Sequence, residues 1–233
     1  MTALITGATK GIGLACCHAF APHCKKLIII ARTRSDLSAL KTELALEYPA
    51  LDIIACEVDL SITEERQHFL RVILRKIDQL DVLINNVGRF DMGGFLEEPE
   101  GRLQAVLDLN LLAAYDCCRA FVPLMKAQKQ GHIFNVCSIA SFKVMGECAS
   151  YIISKHALLG LSKVLRQALL DEGVRVTTVM PGATWSDSWA GAPFPEDRLM
   201  PAEAIAKTIL HCWQLPANVV VEDVVIRPQE GDL

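Results

Sequence analysis

Thr2-Ala3-Leu4-Ile5-Thr6-Gly7-Ala8-Thr9-Lys10-Gly11-Ile12-Gly13 commits the chain to one architecture. Thr2–Thr6 is a short apolar run of the kind needed by a strand covered on both faces, and Gly11–Ala21 reads as the helix after it. Between them, glycines let the backbone turn sharply and approach a ligand closely. The helix N-terminus behind the turn offers free N–H groups and the positive end of a dipole, a setting that suits a pyrophosphate. A tight structural turn would look similar. No Gly-Lys-Ser/Thr follows, so the segment is not a P-loop, and its spacing departs from G-x-G-x-x-G.

The same alternation continues outward. Leu27–Ala31, Asp52–Val58, Asp81–Asn85, His132–Ser138, Val174–Met180 and Asp223–Arg227 read as further strands. Asp36–Tyr48, Thr63–Ile77, Arg102–Gln130, Ala149–Asp171 and Pro201–Gln214 read as helices, with a capping signal Ser61-x-x-Glu64 and a proline at a first helical position, Pro201. Strand and helix alternate without a break, which predicts an α/β fold: one doubly wound parallel sheet of about seven strands with helices on both faces. No repeat, low-complexity segment or linker divides residues 1–233, so a single domain is expected. The irregular stretch at about 182–200 is long for a connector and is expected to be a binding loop.

Composition narrows the function classes. Of 233 residues, 52% are hydrophobic and 21% charged, which excludes intrinsic disorder. A net charge of −4 makes a poor binder of nucleic acid backbones. Mean hydropathy is +0.30, yet no apolar run approaches the length of a membrane span. Nine cysteines, at 16, 17, 24, 56, 117, 118, 137, 148 and 212, form no C-x-x-C pair and mostly sit in apolar runs. Reduced thiols in a cytoplasmic protein are expected, and the apolar strand directly after Met1 leaves no room for a secretory signal. The six histidines show no ligand spacing, so no metal is expected.

Polar residues gather where such a sheet would place a ligand. Arg32-Thr33-Arg34 follows the second strand, where an acid would bind a ribose 2′-OH and an arginine a 2′-phosphate. Lys10 and Arg32 can both reach one phosphate, though each could also be a solvated cation. Asn85-Asn86-Val87-Gly88 and Ser138 end the fourth and fifth strands. Asn110 interrupts the apolar Leu107–Leu111 and needs a polar partner. Tyr151 and Lys155, four apart, share a helix face, where an ammonium beside a phenol lowers its pKa and lets it pass protons near neutral pH.

Together, Thr6–Gly13, Asn85–Gly88, Asn110, Ser138, Tyr151-x-x-x-Lys155 and Pro181-Gly182 resemble the short-chain dehydrogenase/reductase family, in its order and over nearly the whole chain. The resemblance implies a Rossmann-type fold and an NADP (NADPH)-dependent carbonyl reductase that delivers the 4-pro-S hydride. It makes Tyr151 the general acid and has Ser138 orient the substrate oxygen. Lys155 binds the nicotinamide ribose and lowers the tyrosine pKa, and Asn110 holds a water in a relay to Lys155. The cofactor contacts it implies are Gly7, Thr9, Lys10, Gly11, Ile12, Gly13, Arg32, Thr33, Asp59, Leu60, Asn86, Gly88, Lys155, Pro181, Thr184 and Ser186. Two departures stand out: Val87 replaces the family's usual alanine, and Thr184 and Ser186 stand where valine and threonine are common.

The last fifty residues, with Trp189 and the tail Val219–Pro228, resemble bacterial sepiapterin-reductase-type members, whose substrate is a pterin side-chain ketone. Trp189 would stack on the flat substrate ring. Related endings in members acting on 3-hydroxy acids or 3-oxoacyl thioesters keep that alternative open, and a non-enzymatic NADP-binding sensor is a further one. The family also implies a homodimer or homotetramer, with the two long apolar helices pairing across the interface, and makes Cys117, Cys118 and Leu158–Leu161 packing residues.

Overall fold

A computed structural model describes residues 1–185 and 195–231. Seven strands form one parallel sheet: β1 (Thr2–Thr6), β2 (Lys26–Ala31), β3 (Asp52–Glu57), β4 (Val82–Asn85), β5 (Gly131–Val136), β6 (Val174–Pro181) and β7 (Asp223–Ile226). Their order is β3-β2-β1-β4-β5-β6-β7. β1 lies in the middle, with Thr6 opposite Ile30 on β2 and Ile5 opposite Ile84 on β4. The chain leaves β1 toward β2 and β3, then returns to the other side for β4. That reversal opens a crevice at the carboxyl ends of β1 and β4, where open α/β sheets hold ligands.

The helices are α1 (Gly11–Phe20), α2 (Arg34–Glu47), α3 (Thr63–Ile73), α4 (Arg102–Leu107), α5 (Ala113–Gln128), α6 (Ala149–Ala168) and α7 (Ala202–Gln214). Successive residues of a strand face opposite sides, so each strand feeds two cores. Ala3, Ile5, Leu27 and Ile29 pack with Phe20, Leu37, Leu44 and Ile209 of α1, α2 and α7. Leu4, Ile28 and Ile30 pack with Phe69, Leu70, Cys117 and Phe121 of α3 and α5. Both faces being covered, β1 and β2 read as unbroken apolar runs. All nine cysteines are free thiols, seven of them buried.

The expected elements are present, with shifted ends and three physical differences. The helix expected over Arg102–Gln130 is broken by a π-turn, Asp108–Leu112, between α4 and α5. The Ser61-x-x-Glu64 cap does not form. Ile62 precedes α3 without a side-chain cap, while Asp59 Oδ1 accepts from Ser61 N and Oγ at 2.9 and 2.6 Å and Glu65 reaches back to Asp59 N at 2.9 Å. Pro201 is the N-cap of α7 rather than its first residue, a place where its missing N–H costs nothing. A buried ion pair went unread in the sequence. Arg66 on α3 donates to Asp116 on α5 at 2.7 Å and to the Leu60 carbonyl at 2.6 Å, so the loop after β3 is pinned to the opposite helix.

His132 at the start of β5 is buried among apolar neighbours. Its Nε2 lies 2.7 Å from Thr177 Oγ1, and that hydroxyl gives its one proton to the Val221 carbonyl at 2.6 Å. Nε2 therefore carries the ring proton, and Nδ1 is left without a partner. Burial, aided by Arg175, pushes the His132 pKa down to about 2. The folded chain thus refuses a proton that the unfolded chain accepts below about pH 6.5, so stability is lost as the pH drops below that value, by up to about 1.4 kcal/mol per unit. We expect urea unfolding at pH 6 and pH 5 to show this slope, and His132→Gln, which keeps the donor to Thr177, to flatten it. An unchanged slope in the variant would assign the acid sensitivity elsewhere.

Candidate active site

The site is built from loops at the carboxyl edge of the sheet. After β1 the chain turns through Gly7 (φ +65°) and Gly11 (φ +51°), left-handed conformations that favour glycine. A Cβ on Gly13 would lie 2.0 Å from the Gly7 carbonyl oxygen and 2.6 Å from Asn86 Nδ2. Only glycine lets α1 start so close behind the turn. Asn86 closes the arrangement, donating from Nδ2 to the Thr6 and Gly7 carbonyls at 3.0 and 3.2 Å. The result is a cradle of small residues under an uncapped helix N-terminus. It has the form that takes a dinucleotide pyrophosphate.

Most of the other expected contacts lie at or just after the ends of β1, β2, β3 and β6. Thr9 and Ile12 are half-buried in the turn, and Lys10, at its N-cap position, is exposed. Arg32 follows β2 with its guanidinium 4.0 Å from Asp59, and Thr33 precedes α2. Leu60 is buried, its carbonyl held by Arg66. Pro181 ends β6, and Thr184 donates to the Gly182 carbonyl at 3.0 Å. Ser186 and Trp189 lie outside the described residues.

The expected catalytic residues come together here, with Asn110 and Lys155 beside Gly88. Ser138, just past β5, accepts from Ala140 N at 3.1 Å and shares a hydrogen bond with Tyr151. Lys155 Nζ donates to the Val136 carbonyl at 2.9 Å and stands 5.7 Å from the Tyr151 ring centroid. A Cβ on Gly88 would come 3.3 Å from Asn110 Oδ1 and 3.6 Å from Lys155 Nζ. Asn110 lies in the π-turn, whose extra residue aims its amide at the Arg89 backbone. Oδ1 accepts from Arg89 N at 2.8 Å, while Nδ2 donates to Arg89 O and Ser154 Oγ at 3.0 Å. That is the polar reason an asparagine sits in this greasy helix. Asn110 makes no direct hydrogen bond to Lys155 in this arrangement.

The electrostatics correct one expectation. The Tyr151 pKa is not lowered: burial pushes it up to about 12, and the Ser138 hydrogen bond only partly opposes this. Burial also pulls Lys155 below the ordinary lysine range. Desolvation is the largest cause at both residues and disfavours both charged forms. The tyrosine is therefore held as a neutral phenol, the form that donates a proton.

Two site residues escaped sequence reading. Phe90 packs its edge against Tyr151, centroids 5.0 Å apart at 82°. Glu98 reaches Ser150, the residue before Tyr151. Both sit in the irregular segment after β4, which has no periodicity to read.

The comparisons agree with this geometry. Residues 1–193 match the family model described as short chain dehydrogenase. The chain belongs to that family and is an oxidoreductase. It is 30% identical to a sepiapterin reductase from Chlorobaculum tepidum, over 99% of this chain and 97% of the relative. Among solved structures it is similar to a metagenomic short-chain oxidoreductase in complex with NADP, with 28% identity, a TM-score of 0.84 and coverage of 98% and 97% of the two chains. It is also similar to an alcohol dehydrogenase from the archaeon Thermococcus sibiricus complexed with 5-hydroxy-NADP, with 25% identity, a TM-score of 0.88 and coverage of 98% and 96%.

Gly13→Ala tests the cradle. The added methyl must displace the Gly7 carbonyl or α1, an overpacking that costs about 1–3 kcal/mol. Denaturant unfolding is expected to show that loss, and unchanged stability would mean that the turn relaxes freely.

Proposed function

We propose that the chain is an NADP-dependent carbonyl reductase with Tyr151 as general acid and a pterin side-chain ketone as substrate. The cofactor is NADP, which supplies the hydride for the carbonyl carbon when bound. The observation that carries this reading is the meeting of Ser138, Tyr151, Lys155 and Asn110 at one edge of the sheet, beside the Gly7–Gly13 cradle. Burial keeps Tyr151 protonated until a substrate oxygen develops negative charge beside it. Ser138 holds the phenol through their shared hydrogen bond and orients the substrate oxygen. Lys155, anchored on the Val136 carbonyl, offers its remaining N–H groups to the nicotinamide ribose. Asn110 and Ser154 hold polar atoms next to it, where a water can relay the proton that Tyr151 gives up.

Support for a flat aromatic substrate comes from Phe90, whose half-exposed ring stands against Tyr151, and from the likeness to a sepiapterin reductase. Trp189 is assigned the stacking role from the sequence. A 3-hydroxy acid or 3-oxoacyl thioester is the alternative substrate. Arg89, beside Phe90, is already bonded to Asp91 at 2.6 Å, so it is not poised for a free carboxylate. The molecule works as a homo-oligomer, a reading supported by Tyr115, Ile153 and Val164, exposed apolar side chains on α5 and α6. A cytoplasmic site of action is supported by the free thiols, and no described helix is long and apolar enough to cross a membrane.

The decisive experiment follows nicotinamide absorbance with NADPH and NADH against a pterin ketone, a 3-oxoacyl thioester and a small aliphatic ketone. The pterin ketone is expected to turn over best, and failure with every carbonyl would overturn the assignment. NADPH is expected to outperform NADH, because Lys10 and Arg32 add about 2–4 kcal/mol toward the extra phosphate. Replacing both with uncharged residues should erase most of that preference, and equal turnover with NADH in the unmodified chain would refute it.

Tyr151→Phe is expected to abolish turnover while cofactor affinity, read by fluorescence titration, stays nearly intact. Substantial residual activity would mean that another group is the acid.

A further inference from the structure

The helix that carries Tyr151 and Lys155 does not cap itself. Cys148, at the N-cap of α6, offers no side-chain acceptor to the first turn. The free N–H groups there are met from a segment some fifty residues earlier in the chain. Ala149 N donates to the Gly93 carbonyl at 3.1 Å, and Gly93 N in turn donates to the Glu147 carbonyl at 2.7 Å. Ser150, which is buried, donates its N–H to Glu98 Oε1 at 2.9 Å and its hydroxyl to Glu98 Oε2. A carboxylate at that place also meets the positive end of the helix dipole.

The same short segment touches the other proton-handling residues. Arg89 is bonded to Asn110 through both its N–H and its carbonyl. Phe90 lies against the Tyr151 ring. Gly93 clears the way for the Glu98 stem, since a Cβ there would sit 2.9 Å from Glu98 Cγ. Residues 89–98 thus bridge the π-turn to the start of α6, and Glu98 is the charged end of the bridge.

We propose that Glu98 is a positioning residue: by capping α6 through Ser150 it sets where Tyr151 stands relative to Ser138 and to the substrate oxygen. It does not touch the reacting atoms. The proposal rests on the reading of Tyr151 as the proton donor, and it concerns the height and tilt of the helix rather than the binding of cofactor.

The test compares Glu98→Ala, Glu98→Gln, Ser150→Ala and the double variant. In Glu98→Ala, kcat for the preferred carbonyl is expected to fall about ten- to hundredfold, the effect of small misplacement of a catalytic group, while KM for NADPH changes less than about threefold. Glu98→Gln recovers most of the rate, because its amide oxygen still accepts from Ser150 N and its NH₂ can donate to Ser150 Oγ. The double variant should be no worse than Glu98→Ala, since both changes remove one interaction. Hydrogen exchange read at the amides of residues 149–152 should quicken in Glu98→Ala and stay near the parent rate in Glu98→Gln. This readout needs no turnover, so it tests the cap even if the substrate assignment fails. Equal loss in kcat and NADPH affinity, additive losses in the double variant, or unchanged exchange at the helix start would each overturn the proposal. If Glu98→Ala does not fold, Ser150→Ala carries the test: a severalfold lower kcat with unchanged NADPH KM supports the cap, and an unchanged kcat refutes it.

Discussion

Gly13 lies so close to the Gly7 carbonyl that no side chain can come between them, and Asn86 ties that carbonyl to the end of β4. The arrangement brings three elements to one point: the end of the central strand, the start of α1 and the first loop on the far side of the sheet. From that point β2 and β3 lie on one side of β1 and β4 to β7 on the other. The crevice at the reversal is then a consequence of topology. It places a dinucleotide cradle next to the strand ends that carry Ser138 and Gly88.

Burial, more than charge pairing, sets the state of Tyr151 and Lys155. Tyr151 and Lys155 lie close, and proximity alone would favour a phenolate beside an ammonium. Removing both from water works the other way, raising the tyrosine and lowering the lysine. Both shifts favour the uncharged forms, a neutral phenol beside a lysine that holds its proton less tightly than in water.

Polar atoms inside the molecule are organised to serve this edge. The π-turn takes in one more residue than a regular helix turn, and Asn110 uses that displacement to hold the backbone of Arg89. Arg66 spans from α3 to Asp116 and fixes the Leu60 carbonyl in the loop after β3. Glu98 and the Gly93 carbonyl meet the first N–H groups of α6. Each of these ties joins segments distant in sequence, and each holds a loop at the carboxyl end of the sheet, where short strand ends would otherwise leave it loose.

By itself the sequence determined the strand–helix alternation, the parallel sheet, the glycine turn and the family residues Asn110, Ser138, Tyr151 and Lys155. Those features are local: apolar runs, helical spacing and a turn that only glycine permits leave a mark within a dozen residues. The tertiary structure decided the rest. The break between α4 and α5 depends on where Asn110 finds partners, and no propensity marks that place. The Ser61 cap failed because Asp59 takes both the Ser61 N–H and its hydroxyl once the loop packs. The direction of the Tyr151 shift reversed because burial is a property of the packed site and not of i, i+4 spacing. Phe90, Arg66 and Glu98 stayed unread because their partners lie about fifty or more positions away in the chain, and only the closed fold brings them within hydrogen-bond or ring-contact distance.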